Sequence, residues 1–473
     1  MKYRYFKYLS VFFLITLLFF SCKQKKTEEE ISKKPNILVI HVDDLGYYDL
    51  SLTGSKIYQT PNIDGLAKQS VRFNNAYANY PRCVPSRYAM MTGGYPIQNG
   101  TVPDDGFEIG AISNDKNYIK HIEAAGYQTA YFGKWHLGAG ASSPKGFGYN
   151  FSLAAGAAGS PISYFYPFNT PKHNWKTNKK SIVDMDSIGK EGDYLSDVLT
   201  DQVIKYIKNR DTKKPFMAML AFYAVHQPLE AKPEDVERNK KEISQFDFGD
   251  QPEYIKEGTG RTKMRQDNPV YAGMVENMDE NVGKLLKVLD DLQISDNTIV
   301  ILSSDHGGLS NDGYKQRHLA TSNFPLRAGK GWLYDGGLKV PLFVKWKNHF
   351  QPRDENASLV MLMDVFPTIL DMTSGEKLDT DGQSFLPVLN NKEYWPERTV
   401  FWHSPNARPK NTGDTKSSAI RVGDYKLINW YEEGRTELYN IKKDPSESHN
   451  LAKEMPEKTD TLLKELDEWK ANF

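Results

Sequence analysis

Two short stretches hold side chains whose types and spacing could do chemistry on an anion. The first is Cys83-Val84-Pro85-Ser86-Arg87. Pro85 suits the first turn of a helix, which puts Cys83 at or just before a helix N-terminus, where free N–H groups and the dipole favour negative charge. Arg87 adds a planar, permanently charged fork in the same turn, a shape matched to an oxyanion with several acceptor oxygens. A lone thiol is otherwise an ordinary half-buried core residue, so the reading rests on these neighbours. The second stretch is Asp43-Asp44. Such a pair can cap a helix. It can also hold Ca²⁺ or Mg²⁺, because adjacent carboxylates repel unless a cation joins them and hard oxygen ligands suit those ions. Further groups are Lys134 with His136, His226, Asp305 with His306, and Lys330 in the glycine-flanked run Leu326-Arg327-Ala328-Gly329-Lys330-Gly331. That run lacks the spacing and the hydroxyl residue of a P-loop, so Lys330 reads as a single anion contact and not as part of a nucleotide site.

These groups need elements to position them. Asn36–Val42 is a continuous apolar run typical of a strand covered on both faces, and Asp43-Asp44 follows it directly. Residues 128–132, 216–224 and 297–304 read as three more strands, ending in Lys134/His136, His226 and Asp305/His306. Lys134 and His136 lie two apart, so an extended segment would point both to one side. Helices are expected from Pro61, over 118–125 with Gly126 as the stop, over 197–210, over 271–292 and from Asp364. Alternation of this kind predicts an α/β fold, a large mostly parallel sheet sandwiched by helices. In such sheets ligands sit outside the carboxyl ends of the strands, and four separate groups falling there share one rim. Residues 153–160, rich in Gly, Ala and Ser, read as a surface loop, 232–268 as a polar surface excursion without elements, and 338–346 as a further strand. From about residue 396 the pattern changes to short strands at 399–402, 419–422, 425–430 and 436–440, then a helix over 457–469, which predicts a smaller antiparallel sheet plus helix. The division is therefore a main unit over 35–390 and a smaller one over 391–473.

Composition sets the outer limits. The 473 residues carry 60 basic and 60 acidic side chains, so no bulk field favours nucleic acid. Lys2, Arg4 and Lys7, an apolar run to Phe20, and Ser21-Cys22 read as an export signal, too short for the roughly 20 apolar residues of a span. Ser21-Cys22 is similar to a bacterial lipoprotein signal over 1–22, in which Cys22 takes a lipid anchor; ordinary cleavage nearby is the alternative. Residues 23–34 then form a charged tether. The expected location is the periplasm or the outer membrane and cell surface. With Cys22 lipidated, Cys83 is the one remaining thiol and no disulfide forms within the chain.

The stretch Cys83-Val84-Pro85-Ser86-Arg87, followed by Thr92-Gly93, resembles the signature C-x-P-S-R…T-G of type I sulfatases, in the alkaline phosphatase superfamily. It departs at Met91 and Gly94, where Leu and Arg are usual. The resemblance extends from about Pro35 to Leu451. It implies an alkaline phosphatase-like fold and oxidation of Cys83 to formylglycine by a maturation enzyme. One hydroxyl of the aldehyde hydrate then attacks sulfur, and the other, once deprotonated, expels sulfate. It further implies a metal set of Asp43, Asp44, Asp305 and His306 with the modified Cys83, commonly Ca²⁺, although Asn is frequent where His306 stands. Arg87 would orient the nucleophile, Asp305 would help activate it, and Lys134 and Lys330 would stabilise the transferring SO₃ group. His226 would protonate the leaving alcohol and His136 would drive sulfate elimination, each changing state near neutral pH. Asp335 and Lys339 stand where Glu and Arg are frequent. The implied activity is sulfate-ester hydrolysis on a sulfated carbohydrate. The alternatives are a phosphoester or phosphonate hydrolase on the same scaffold, and a glycan-binding lipoprotein with a dead site. His173, Trp175, Arg317, His318 and Trp332 are candidate sugar contacts, because aromatic faces stack on sugar rings.

Overall fold

Seven consecutive buried residues, Asn36–Val42 (β1), form the middle of the main sheet. The computed structural model describes residues 34–97, 101–110, 114–169, 181–185, 187–395 and 397–473. The export segment 1–22, the tether up to residue 33, and His173 and Trp175 lie outside them. Among the described residues no helix is long and apolar enough to cross a membrane.

The sheet has eight strands. After β1 come Val71–Phe73 (β2), Gln128–Gly133 (β3), Phe151–Leu153 (β4), Phe216–Ala221 (β5), Thr298–Ser304 (β6), Leu342–Lys345 (β7) and Arg353–Glu355 (β8), in the spatial order β8-β2-β7-β6-β1-β5-β3-β4. All neighbours are parallel except β7, which runs against both β2 and β6. β1 shows why its pattern is continuously apolar. Leu38, Ile40 and Val42 enter one core, with the helices Pro61–Lys68 (α1), Leu195–Asn209 (α4) and Pro269–Asp291 (α6). Ile37 and Val39 enter the other, with Cys83–Thr92 (α2), Tyr118–Ala124 (α3) and Val365–Ser374 (α7). Local chemistry sets the helix ends. The Asn268 side chain accepts the N–H groups of Val270 and Tyr271 at the start of α6, and Asn117 does the same for α3. Gly93, with φ +67°, ends α2, and a Cβ there would lie 2.7 Å from the Tyr118 hydroxyl.

The smaller sheet is a four-stranded antiparallel meander, Thr399–Ser404 (β9), Ser417–Val422 (β10), Tyr425–Trp430 (β11) and Arg435–Asn440 (β12). Its alternation is strict. Ile420, Leu427 and Leu438 face the helix Pro456–Lys470, while Ala419, Ile428 and Tyr439 face Trp332, Tyr334 and Leu338 of the main unit.

Four expectations are corrected. Residues 232–268 hold a helix, Pro233–Ser244 (α5), and a hairpin of Tyr254–Glu257 and Gly260–Lys263; the helix is short of apolar residues because it covers α6 with one side only. The 153–160 segment is largely buried, because its small side chains let the backbone pass under the rim. Strand β7 is shorter than 338–346, since Asp335–Leu338 closes a helical turn first. Trp332 is 3 % exposed, stacks on Tyr334 and donates its indole N–H to Thr412, so it is core and not a sugar contact.

One polar knot fastens the two units. Lys426 of β11, fully buried, donates to Asp335 Oδ1 (2.8 Å) and Glu447 Oε1 (2.9 Å), and Tyr77 donates to the other Asp335 oxygen. Removing the ammonium strands two buried carboxylates, which costs about 3–5 kcal/mol. Lys426→Met is therefore expected to lower the urea midpoint well below that of the exposed control Lys442→Met; equal midpoints would show that the knot carries no stability.

Candidate active site

The carboxyl ends of β1, β5 and β6 are stitched together by backbone bonds that outlast the strands. Asp43 N–H donates to Ala224, Val225 N–H to Asp43, and Asp305 N–H to Val42. This holds Asp43, Asp44, His226, Asp305 and His306 on one rim. Asp44 adopts φ +61°, a conformation that costs a non-glycine residue energy, and its amide is held by Asp305 Oδ1 at 3.1 Å. The twist sends its carboxylate to Lys330 Nζ, at 2.7 and 2.9 Å.

Cys83 is the first residue of α2 and only 6 % exposed. Around its Sγ stand His306 Nε2 at 3.3 Å, Lys330 Nζ at 3.5 Å, Asp43 Oδ1 at 3.7 Å and Asp44 Oδ1 at 4.0 Å. Burial pushes the thiol up, but Lys134, Lys330 and His306 together outweigh it and hold it well below the usual thiol range. Lys134, fully buried, donates to Asp43 Oδ2 at 2.5 Å. Burial raises Asp43 well above the usual carboxylate range despite Lys134. Asp44 goes the other way, since Lys330, with His306, overcomes its burial.

Arg87 differs from its sequence reading. All three of its nitrogens are engaged by protein: Nε by Asp305 Oδ2 (3.0 Å), Nη1 by the Lys134 carbonyl (2.8 Å) and Nη2 by Asp43 Oδ1 (3.4 Å). It sets the carboxylates instead of gripping an oxyanion. Lys134 and His136 both reach the site, but not through extended alternation. Gly133 has φ +88° and His136 φ +61°, so the chain turns sharply. His136 interacts with Cys83, and its Nε2 is 3.6 Å from Asp105 Oδ1. Its ring lies on Gly159, where a Cβ would come within 2.3 Å.

The imidazoles also depart from the expected near-neutral range. Burial, then Lys330, takes His226 down to about 3, and burial lowers His136. Both rings are therefore neutral at neutral pH. His226 Nδ1 sits 2.6 Å from the Gln227 carbonyl, which fixes its proton there and leaves Nε2 facing Asp44 Oδ2 at 3.8 Å.

Asp43, Asp44, Cys83 and His306 each offer a ligand atom within 4.8 Å of the others, all buried. His306 Nδ1 lies 3.0 Å from the Gly307 carbonyl, so Nε2 faces Asp44 Oδ1 (3.3 Å) and Asp305 Oδ1 (3.5 Å), and despite burial the acids and Cys83 around it raise this ring above the usual imidazole range. A lone pair facing carboxylates needs a second ring proton or a cation between them, and the donor set fits a divalent ion. Asp305 is not one of these four, although its Oδ1 lies 3.5 Å from His306 Nε2; its oxygens are held by the Asp44 amide and Arg87.

The site opens into a cavity of about 290 Å³ bordered by Cys83, His136, His226 and Lys330. Asp104, Asp105, Glu108, Arg82 and Arg408 also border it, and sequence reasoning missed these. Asp104-Asp105-Gly106 reads as a turn and Arg408, next to Pro409, as loop, so only their shared position in space reveals them. Of the remaining sugar candidates, Arg317 is half-buried beside Gln227 and His318 is exposed.

Comparison with known proteins adds the identity. Residues 35–375 match the Sulfatase family, and 328–472 match the family of N-sulphoglucosamine sulphohydrolase C-terminal regions. A Formosa agariphila protein named "Sulfatase" is 30 % identical, with 91 % of this chain and 87 % of the relative covered. An N-acetylgalactosamine-6-O-sulfatase of Bacteroides thetaiotaomicron is 28 % identical, with 94 % and 95 % covered. The crystal structure of Ps i-CgsB in complex with k-i-k-neocarrahexaose is 29 % identical with a TM-score of 0.73, covering 93 % of each chain. With the rim and its buried thiol already described, these matches establish that the chain belongs to the sulfatase family, the sulfuric ester hydrolases.

Proposed function

We propose that this sulfatase acts on a sulfated carbohydrate, with a formylglycine made from Cys83 as nucleophile and Ca²⁺, or Mg²⁺, at Asp43 and Asp44. The observation that carries the reading is the crowding of His306, Lys330, Asp43 and Asp44 within 4.0 Å of one buried sulfur. The sugar is supported by the Bacteroides relative, named for an amino-sugar sulfate, and by the neocarrahexaose in the related crystal structure. Export and a lipid anchor on Cys22 rest on the N-terminal sequence alone, and the modification calls for a separate maturation enzyme.

Asp43, Asp44 and His306 would hold the cation, with Asp305 behind them, and the ion would supply Lewis-acid charge toward the sulfonyl oxygens. Oxidation of Cys83 would supply a hydrated aldehyde in place of the thiol. The rest falls to the chain. Lys134 and Lys330 carry positive charge into a buried site where it meets little screening, suited to the charge on a transferring SO₃ group. His136, neutral and beside position 83, is suited to take a proton from that residue. His226 presents Nε2 to the cavity; the negative charge of a bound ester opposes Lys330 and so favours the proton that His226 would pass to the leaving alcohol.

Three outcomes follow. Cys83→Ala should lose sulfate release from 4-nitrophenyl sulfate while keeping its circular dichroism, and mass spectrometry of the matured wild-type peptide should show the aldehyde; an unaltered thiol in fully active protein overturns this mechanism. His226→Ala should cost about 10²–10⁴-fold on a sugar sulfate, whose alcohol needs a proton, and far less on 4-nitrophenyl sulfate. Equal losses rule out the acid role. Calcium should raise the melting temperature, by about 2.7 kcal/mol of added stability at a hundredfold excess over Kd; Asp43→Asn should abolish the response, and its persistence would place the ion elsewhere.

A further inference from the structure

We infer that the mouth of the Cys83 cavity is a second anion subsite, in which Arg408 receives an oxyanion substituent, carboxylate or further sulfate, next to the ester that is cleaved. The inference rests on the sulfated-carbohydrate reading above and narrows it to sugars carrying a second acidic group.

Arg408 reaches the cavity from the smaller unit, on the loop between β9 and β10, and that loop is built to hold it still. Its backbone is fastened to the main unit where Gly313, Tyr314 and Lys315 donate to Asn411, Pro409 and Lys410, at 3.1–3.3 Å. The Arg408 carbonyl accepts from Asn411, Thr412 and Gly413, and its amide donates to Asp414, which is itself paired with buried Arg82. The side chain is gripped through a single nitrogen. Nη2 donates to Asp104 and to Asp105 Oδ2 (3.2 Å), while Nε and Nη1 have no protein partner among the described residues. A guanidinium fixed at one corner, with its other donors free at a cavity wall, is a preorganised fork for a bidentate oxyanion.

The nearby acids do not compete for that role. Asp104 is spent on Arg408, Asp105 stands between Arg408 and His136, and Glu108 accepts the Ala139 amide at 2.9 Å. Because Asp104 and Asp105 offset the charge of Arg408, the subsite selects by donor geometry and not by a net positive field.

The test uses three disaccharides sharing the cleaved sulfate: a neutral one, its uronate counterpart and its disulfated counterpart. Sulfate release is followed with the matured full chain, with Arg408→Gln and with Arg408→Lys. The wild type should favour an acidic disaccharide over the neutral one by about tenfold in kcat/KM. Arg408→Gln should bring that ratio to about one, and Arg408→Lys should recover part of it; as a ratio, it is insensitive to the fraction of protein that folds. Whichever acidic disaccharide responds names the substituent. A wild-type preference for the neutral sugar, or a ratio unmoved in Arg408→Gln, overturns the subsite and leaves the carbohydrate reading standing. Cleavage of 4-nitrophenyl sulfate with none of the three disaccharides overturns both.

Discussion

Everything at the rim depends on compensating charge out of contact with water. Asp43, Asp44 and Asp305 are each at most 1 % exposed, and isolated carboxylates do not stay ionised at such depth. Arg87, Lys134 and Lys330 answer them one for one, and each cation comes from a different part of the chain. The cluster is therefore a constraint on the whole fold. The helix of Arg87, the strand end of Lys134 and the loop of Lys330 have to arrive together or all three acids are stranded. It also sets how the thiol behaves, because Lys134 and Lys330, with His306, outweigh burial and hold Cys83 well below the ordinary thiol range.

The rim was legible in the sequence because parallel strands with both faces covered are continuous apolar runs, and because polar residues straight after such runs have one place to go. Asn36–Val42 followed by Asp43-Asp44 is the plainest instance. The small meander was legible because its short strands follow one another with no helix between them to cross over. What stayed hidden was side-chain assignment. Arg87 presents the same residue type whether it faces a ligand or three protein acceptors, and only its neighbours in space decide. The same holds for the histidines, whose sequence context says nothing of the burial that keeps them neutral.

Small residues and charged stretches misled in a related way. The Gly/Ala/Ser run 153–160 has the composition of an exposed loop, but its lack of side chains is what allows it beneath the His136 ring. The polar stretch 232–268 looked structureless because α5 buries few of its residues, with Asp235 and Asn239 among them, the latter hydrogen-bonded to Glu276. Hydrophobic period is a weak guide wherever an element packs through polar contacts.

The contact between Gly159 and His136 also bears on how this site could diversify. Any side chain at 159 strikes the imidazole, and any shift of the imidazole disturbs Cys83, so that wall is closed to drift. In the opposite wall, made of Asp104, Asp105, Glu108 and Arg408, Asp105 alone reaches that imidazole, at 3.6 Å from its Nε2, so the other three accept replacement without disturbing it. New sugar preferences in descendants of this chain should therefore be written in those two loops, with the Gly159 side inherited unchanged.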